Sequence, residues 1–186
     1  MINVKECLSL ETLEKCLASL TDTLKKTKIG KEFATYIKNS KNLLPGQQVP
    51  TFFVKDFKEI EYKSDTLHSN TKYTIIDFWA SWCTPCRVQM KELKKIYSSL
   101  DTSKVQIISI SIDTDKENWL KACKEEDILW KSYYDSGGWY GEVSKKFNLT
   151  YIPQNRIIGL SGKIVAFDLG MEELHSFLEG KNLLNN

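Results

Sequence analysis

Two cysteines near the middle of the chain are the residues best suited to chemistry. Cys83 and Cys86 are separated by Thr84 and Pro85. An apolar run from Thr74 to Trp79 precedes them and apolar residues at helical spacing follow them, so the pair should lie where a strand leads into a helix. Two thiols one helical turn apart can close a small disulfide loop. The pair therefore indicates thiol-disulfide exchange.

The expected helix start favours one of the two thiols. The first N–H groups of a helix lack partners and the helix dipole is positive there, and both effects stabilise a thiolate. The pKa of Cys83 should therefore be lowered, which makes Cys83 the reactive cysteine. Pro85 suits the first helical turn, because its missing N–H would have no partner there.

The sequence around the pair carries a family resemblance. Residues 78–87, F-W-A-S-W-C-T-P-C-R, resemble the active site of the thioredoxin superfamily. More narrowly, they resemble the TlpA/ResA/DsbE branch of thioredoxin-like thiol-disulfide oxidoreductases, and the resemblance extends over roughly residues 46–180. It implies an α/β thioredoxin-like fold, in which a central mixed β-sheet is flanked by helices on both faces.

The resemblance also implies an activity and partners. A protein of this branch exchanges disulfides with protein substrates, here as a reductant, and receives electrons from a membrane-bound redox donor protein. It needs no cofactor and no metal. Thr-Pro between the cysteines does not determine the reduction potential, so the direction of electron flow stays open, as does the oligomeric state.

Asp77 is the candidate proton acceptor. It interrupts the apolar run of the expected central strand, where burial of a carboxylate should raise its pKa. The resemblance places at this position the buried acid that helps to deprotonate Cys86. The alternative is an aspartate that only bonds to a neighbouring residue. Members of the branch often carry Glu where this chain has Gln89, which cannot ionise, so proton transfer should depend on Asp77 or on water.

The substrate-binding residues are implied by the resemblance as well. Pro153 occupies the place of the cis-proline that faces the cysteines, and the backbone of Ile152 would pair with an extended substrate segment. Trp82, Thr84 and Pro85 complete the set. Arg156, where the branch has an apolar residue, is either a surface residue or one that selects acidic partners.

The remaining patterns predict the elements that position these residues. A first hairpin is expected at residues 51–56 and 58–63. Three further strands are expected at Tyr73–Trp79, 104–113 and 128–133, and a second hairpin at 154–159 with 163–168. Four helices are expected at residues 83–100, 113–125, 140–147 and 171–178. His68 should be solvated in a polar loop, and the tail after Gly180 should fray.

Residues 1–42 are expected to form an N-terminal helical extension, with the thioredoxin-like domain at 43–186. Leucines at a spacing of three and four predict a helix over residues 8–27, a break at Ile29-Gly30, and a second short helix that turns Phe33 and Ile37 inward. The extension resembles the tail of a larger N-terminal region. Its leucines are expected to pack on their own domain, with packing on a second copy of the chain as the alternative.

Composition excludes several classes. The net charge of +2 argues against nucleic acid as a partner, and no apolar run is long enough to span a bilayer. The N-terminus lacks the apolar core of a signal peptide. The resemblance nevertheless implies a periplasmic or otherwise extracytoplasmic location, which favours a shortened form of a longer precursor, with a cytoplasmic protein as the alternative.

Three competing interpretations remain. A zinc site would need two more ligands, and the other candidates are scattered singly: Cys7, Cys16, His68, Cys123 and His175. The three further cysteines are expected to be small, buried or half-buried side chains. A thioredoxin fold can also serve as an interaction module without turnover. A thiol peroxidase shares the fold, but its usual P-x-x-x-T-x-x-C pattern is missing.

Overall fold

A seven-stranded mixed sheet forms the centre of the protein. The structure is a computed structural model and describes residues 9–68 and 70–185. The strands are β1 (Phe53–Lys55), β2 (Glu61–Lys63), β3 (Tyr73–Trp79), β4 (Val105–Ser111), β5 (Lys131–Tyr134), β6 (Gln154–Gly159) and β7 (Ile164–Phe167). Their order is β2-β1-β5-β4-β3-β6-β7. Strands β3, β4 and β5 run parallel, and the other pairings are antiparallel.

Helices flank this sheet, which confirms the expected thioredoxin-like α/β fold. They are α1 (Leu10–Ser19), α2 (Asp22–Lys26), α3 (Lys28–Asn42), α4 (Ser64–Leu67), α5 (Thr84–Ser99), α6 (Lys116–Glu125), α7 (Glu142–Lys146) and α8 (Met171–Gly180). The parallel strands β3 and β4 are joined through α5, as a βαβ unit requires. Both expected hairpins, β1–β2 and β6–β7, are present.

Strand β3 lies near the middle of the sheet, and its composition explains why. It pairs in parallel with β4 and antiparallel with β6. Its residues from Thr74 to Trp79 are all buried, because a strand covered on both faces needs apolar side chains on both. Asp77 is the one carboxylate in this run, and it is buried because it lies within β3.

The N-terminal helices differ from expectation at their breaks. The expected single helix over residues 8–27 is wrong for the part that the structure describes, from residue 9 onward. The hydroxyls of Thr21 and Thr27 accept N–H groups and cap new helices that begin at Asp22 and Lys28. The expected break at Ile29-Gly30 is wrong, since Gly30 lies inside α3. A Cβ on Gly30 would approach the carbonyl oxygen of Leu24 to 2.2 Å, so glycine lets α2 and α3 pack closely.

The C-terminal tail is docked, which corrects the expected fraying. Leu183 is fully buried, and its carbonyl accepts the N–H of Asp101 at 2.8 Å. The N–H of Asn185 donates to the carbonyl of Ser99 at 2.7 Å. The tail therefore packs against the end of α5, and the apolar burial of Leu183 offsets the entropy of ordering it.

Two further side chains lie elsewhere than expected. His68 is buried rather than solvated, and desolvation lowers its pKa. Cys16 is exposed, so the prediction of a buried or half-buried thiol is wrong for it. Cys123 is half-buried as expected, and burial raises its pKa to about 11. Cys7 lies outside the described residues.

Candidate active site

The cysteine pair is placed by the start of α5. Cys83 is the N-cap residue of this helix, and the N–H of Cys86 points at its sulfur at 3.2 Å. The two cysteines form a disulfide in the structure. Cys83 is 5% exposed and Cys86 is 1% exposed. When the disulfide is reduced, the helix start therefore offers a hydrogen bond and a positive dipole end to a Cys83 thiolate.

The loop before β6 faces the pair. The Ile152–Pro153 peptide bond is cis, and the carbonyl oxygen of Ile152 lies 3.8 Å from the sulfur of Cys83. Gln154, the next residue, pairs with Phe78 near the end of β3. The antiparallel pairing of β6 with β3 thus brings residues almost 70 positions apart in sequence to the same edge of the sheet. Thr84 and Pro85 are exposed beside them.

Asp77 is buried behind the helix start. It is 2% exposed, and burial raises its pKa from 3.8 to about 7, as the sequence predicts in direction. The hydroxyl of Ser109 donates to one carboxylate oxygen at 3.1 Å. The side-chain amide of Gln89 donates to the other oxygen at 3.4 Å. Both hydrogen bonds lower the pKa in part, because they stabilise the charged form.

Gln89 links Asp77 to the helix that carries the cysteines. It stands three residues after Cys86 on α5, and residues at this spacing share a helix face. The amide that replaces the more common glutamate is therefore the hydrogen-bond partner of the buried acid. A glutamate there would instead place a second carboxylate beside Asp77.

A second buried carboxylate, Asp113, fixes the turn before the cysteines. Neither Asp113 nor Thr114 starts the next helix as expected, since Asp115 caps α6. Instead, Asp113 accepts the N–H of Ser81 at 2.8 Å and its hydroxyl at 2.6 Å. Ser111 donates a further hydrogen bond at 2.5 Å. Asp113 thereby joins the end of β4 to the active-site turn, a contact between distant segments that sequence reasoning missed.

An aromatic surface flanks the pair on one side. Trp82 is 56% exposed, and its ring centroid lies 6.0 Å from that of Trp139. Trp139 belongs to a short 3-10 turn, Gly138–Tyr140. The carboxylate of Asp135 holds the chain around this turn, because it accepts N–H groups on both sides of it. Trp139 was not singled out from the sequence, since nothing local ties it to Trp82.

Arg156 is neither a surface residue nor free to select acidic partners. It is buried, and its guanidinium donates to Asp168 at 2.7 Å and to Gln154 at 3.2 Å. The guanidinium lies between the rings of Phe78 and Phe167, at 6.0 and 5.6 Å from their centroids. The ion pair neutralises the charge inside the protein. Its role is to join the start of β6 to the end of β7.

Among residues 9–68 and 70–185, no group of histidine, cysteine, aspartate or glutamate side chains is arranged to hold a metal ion. Within the same ranges, no helix is long and apolar enough to cross a membrane.

Comparisons with known proteins agree with this geometry. A family model described as thioredoxin-like matches residues 70–164, just over half of the chain. The chain belongs to the thioredoxin-like family. A thiol-disulfide oxidoreductase ResA from Bacillus cereus is 26% identical over 149 residues, which are 77% of this chain and 82% of that protein.

Solved structures of other proteins share the fold of this chain. A thiol-disulfide oxidoreductase from Bacteroides fragilis matches with a TM-score of 0.64 and 28% identity, covering 73% of this chain and 99% of that one. A thioredoxin-like protein from Bacteroides caccae shares the fold over 91% of this chain and 60% of its own, with a TM-score of 0.76 and 16% identity. The match to ResA and the Cys83–Cys86 disulfide identify the chain as an oxidoreductase.

Proposed function

We propose that this protein reduces disulfides in protein substrates by two successive exchanges. The Cys83 thiolate attacks one sulfur of the substrate disulfide, and the other substrate sulfur leaves as a thiolate that takes up a proton. Cys86 then loses its proton and attacks the sulfur of Cys83, which releases the second substrate thiol. The protein ends with the Cys83–Cys86 disulfide, and two electrons have passed to the substrate.

The observation that carries this proposal is the N-cap position of Cys83. The N–H of Cys86 points at its sulfur at 3.2 Å, a contact that stabilises the Cys83 thiolate and so raises the fraction of the attacking form near neutral pH. Cys86 is the more buried thiol, which suits a group that attacks only the neighbouring sulfur. In the reduced protein each cysteine therefore has a distinct task.

Asp77 is proposed as the proton acceptor for Cys86. A carboxyl group whose pKa is raised to about 7 can both take and release a proton near neutral pH, where a general base is most effective. The link through Gln89 to the helix face of Cys86 supports this role. A direct transfer or one through a single water would satisfy the same chemistry.

The substrate segment is proposed to bind across the loop before β6. The half-buried Ile152 and Pro153 would present backbone groups to an extended segment in strand-like pairing. Trp82, Thr84 and Pro85 would form the exposed rim around the substrate cysteine. Such binding places the substrate sulfur beside Cys83 rather than Cys86.

The setting of the enzyme is part of the proposal. Residues 43–186 would form the catalytic domain and residues 1–42 an accessory extension. The resemblance to the TlpA/ResA/DsbE branch favours an extracytoplasmic location and a membrane-bound protein that returns electrons to the Cys83–Cys86 disulfide. The same resemblance favours reduction over oxidation of substrates.

Trapping of the mixed disulfide tests the mechanism. The reduced Cys86→Ser variant, mixed with a disulfide-bearing protein such as insulin, should accumulate a covalent adduct that dithiothreitol releases. Cys83→Ser should form none and should have no reductase activity, while Cys123→Ser is the matched thiol-removal control and should behave as the parent protein. An adduct through Cys86, or a parent protein inert towards every disulfide, would contradict the mechanism, and inertness would favour an interaction module.

A further inference from the structure

The N-terminal helices contact the segment that leads to the Ile152–Pro153 loop. The side-chain amide of Asn148 donates to the carbonyl of Tyr36 at 2.7 Å and to the hydroxyl of Ser40 at 2.9 Å. Asn148 has a φ of 49°, a left-handed conformation that asparagine tolerates better than most residues. Helix α3 therefore holds the chain just before the loop that faces the cysteines.

A groove of about 480 Å³ lies at this junction. The extension contributes Leu10, Leu13 and Tyr36, Leu44 lies just after the end of α3, and the loop contributes Thr150 and Tyr151. Part of the lining thus comes from α1 and α3, and the rest comes from the residues before Ile152 and from β6 and the end of β7. Lys41 of α3 forms an ion pair with Glu14 of α1, which ties these two helices together.

The groove adjoins the loop that faces the cysteines, because its lining residues Tyr151 and Gln154 flank Ile152 and Pro153 in the sequence. Tyr151 precedes Ile152, whose carbonyl lies 3.8 Å from the sulfur of Cys83. A substrate segment that pairs with Ile152 and continues past the loop enters the space between Tyr151 and α1. An extended chain advances by roughly 3.3 Å per residue, so the groove is within reach of residues close to the substrate cysteine.

The lining is mixed, with polar residues such as Ser40 and Gln154, and its aliphatic part suits an apolar side chain. Leu13 and Leu44 offer aliphatic surface, and Leu44 is 40% exposed. The one buried cation at the groove, Arg156, is already paired with Asp168, so the groove presents no unpaired charge to an acidic or basic ligand.

We propose that the N-terminal helices form a substrate-specificity groove, which binds a leucine- or phenylalanine-sized side chain near the reactive cysteine of the substrate protein. The occupant is an extended polypeptide segment, and the extension is thereby part of substrate recognition rather than only a packing element. This inference rests on the proposed function, because it needs a substrate disulfide at Cys83.

Two synthetic peptides test it with the full chain. Each carries one cysteine as a mixed disulfide with thionitrobenzoate, flanked either by leucines or by serines within about four residues on each side. The Cys83 thiolate attacks the peptide sulfur, and thionitrobenzoate, the better leaving thiolate, departs and is measured. Cys86 then displaces the peptide thiol. The peptide-free disulfide of thionitrobenzoate is the reference for intrinsic thiol reactivity.

The parent protein should react with the leucine peptide about tenfold faster than with the serine peptide, because one aliphatic side chain is partly removed from water. Leu13→Asp and Leu44→Asp should reduce this ratio to near one and leave the reaction with the peptide-free disulfide unchanged. Leu24→Asp is the matched control, since Leu24 is 50% exposed on α2 and outside the groove, and it should keep the ratio.

Three results would overturn the groove proposal: a ratio near one in the parent, a ratio that both groove variants retain, or a dimer of the parent that Leu13→Asp dissociates, which would assign the groove to a second copy. Urea unfolding of each variant shows whether it folds. Because Leu13 and Leu44 lie in different segments, one variant still tests the proposal if the other does not fold. A parent that fails to react even with the peptide-free disulfide contradicts the proposed function itself.

Discussion

Replacement of Asp77 by asparagine should make this protein more stable relative to the parent as the pH rises, and should lower its activity. Burial raises the pKa of Asp77 from 3.8 to about 7, so the folded protein keeps a proton on Asp77 over a range where the unfolded chain has lost it. The stabilising effect of that proton is complete below about pH 4 and is lost as the pH rises towards about 7. A shift of about three pKa units corresponds to on the order of 4 kcal/mol. The Asp77→Asn variant cannot ionise and so escapes this loss.

Urea unfolding at a series of pH values measures the effect. The free energy of unfolding of Asp77→Asn minus that of the parent should rise by on the order of 4 kcal/mol between about pH 4 and about pH 8. Subtraction cancels the titration of all other groups. Asp22→Asn, which removes an exposed aspartate of α2, is the control for loss of a carboxylate. A difference that does not change with pH would refute the raised pKa.

The same variant should lose activity while it gains stability. Without its base, the attack of Cys86 on a Cys83 mixed disulfide should slow by on the order of 100-fold near neutral pH, the usual scale for a general base. Stopped-flow release of the substrate thiol measures this step. A normal rate would remove Asp77 from the mechanism and leave it as an aspartate that only bonds to Ser109 and Gln89.

Three other substitutions test particular contacts. Gln89→Glu places a second carboxylate beside Asp77 and should move the pH profile of substrate thiol release to higher pH; an unchanged profile would contradict the contact. Leu183→Ala should lower the free energy of unfolding by about 2–5 kcal/mol, and a loss near zero in urea unfolding would mean a frayed tail. Arg156→Met removes the buried ion pair with Asp168 and should cost about 3–5 kcal/mol, while Arg156→Met with Asp168→Leu should recover much of it in the same assay.

Local patterns explain how much of the site could be predicted. The run from Thr74 to Trp79 is apolar on both faces because β3 is covered on both faces, so a carboxylate inside it had to be buried. The cysteine pair and Pro85 stand at a strand-to-helix junction that short-range spacing alone reveals. The surroundings of these residues can therefore be predicted from about ten neighbouring positions of sequence.

The features that were missed depend on contacts between distant segments. From the sequence alone Arg156 could be a surface residue. In the structure it is buried against Asp168, twelve positions later, and the ring of Phe78. From the sequence alone Asp113 is a candidate for the start of a helix. In the structure its carboxylate instead accepts hydrogen bonds from Ser81, 32 positions away. The tail is held by Leu183 in the core. None of these partners follows from periodicity or local propensity, because only the assembled sheet brings them together.

The equilibrium reduction potential of the Cys83–Cys86 pair tests the central claim most directly. The pair is titrated against defined dithiothreitol or glutathione buffers, and the fraction of disulfide is measured after acid quenching and thiol labelling. A reversible two-electron transition at or below about −270 mV, the value of thioredoxin, is the result expected of a reductant. A potential between about −180 and −120 mV would indicate an oxidant or isomerase. A pair that never forms a reversible disulfide would contradict catalysis by this site altogether.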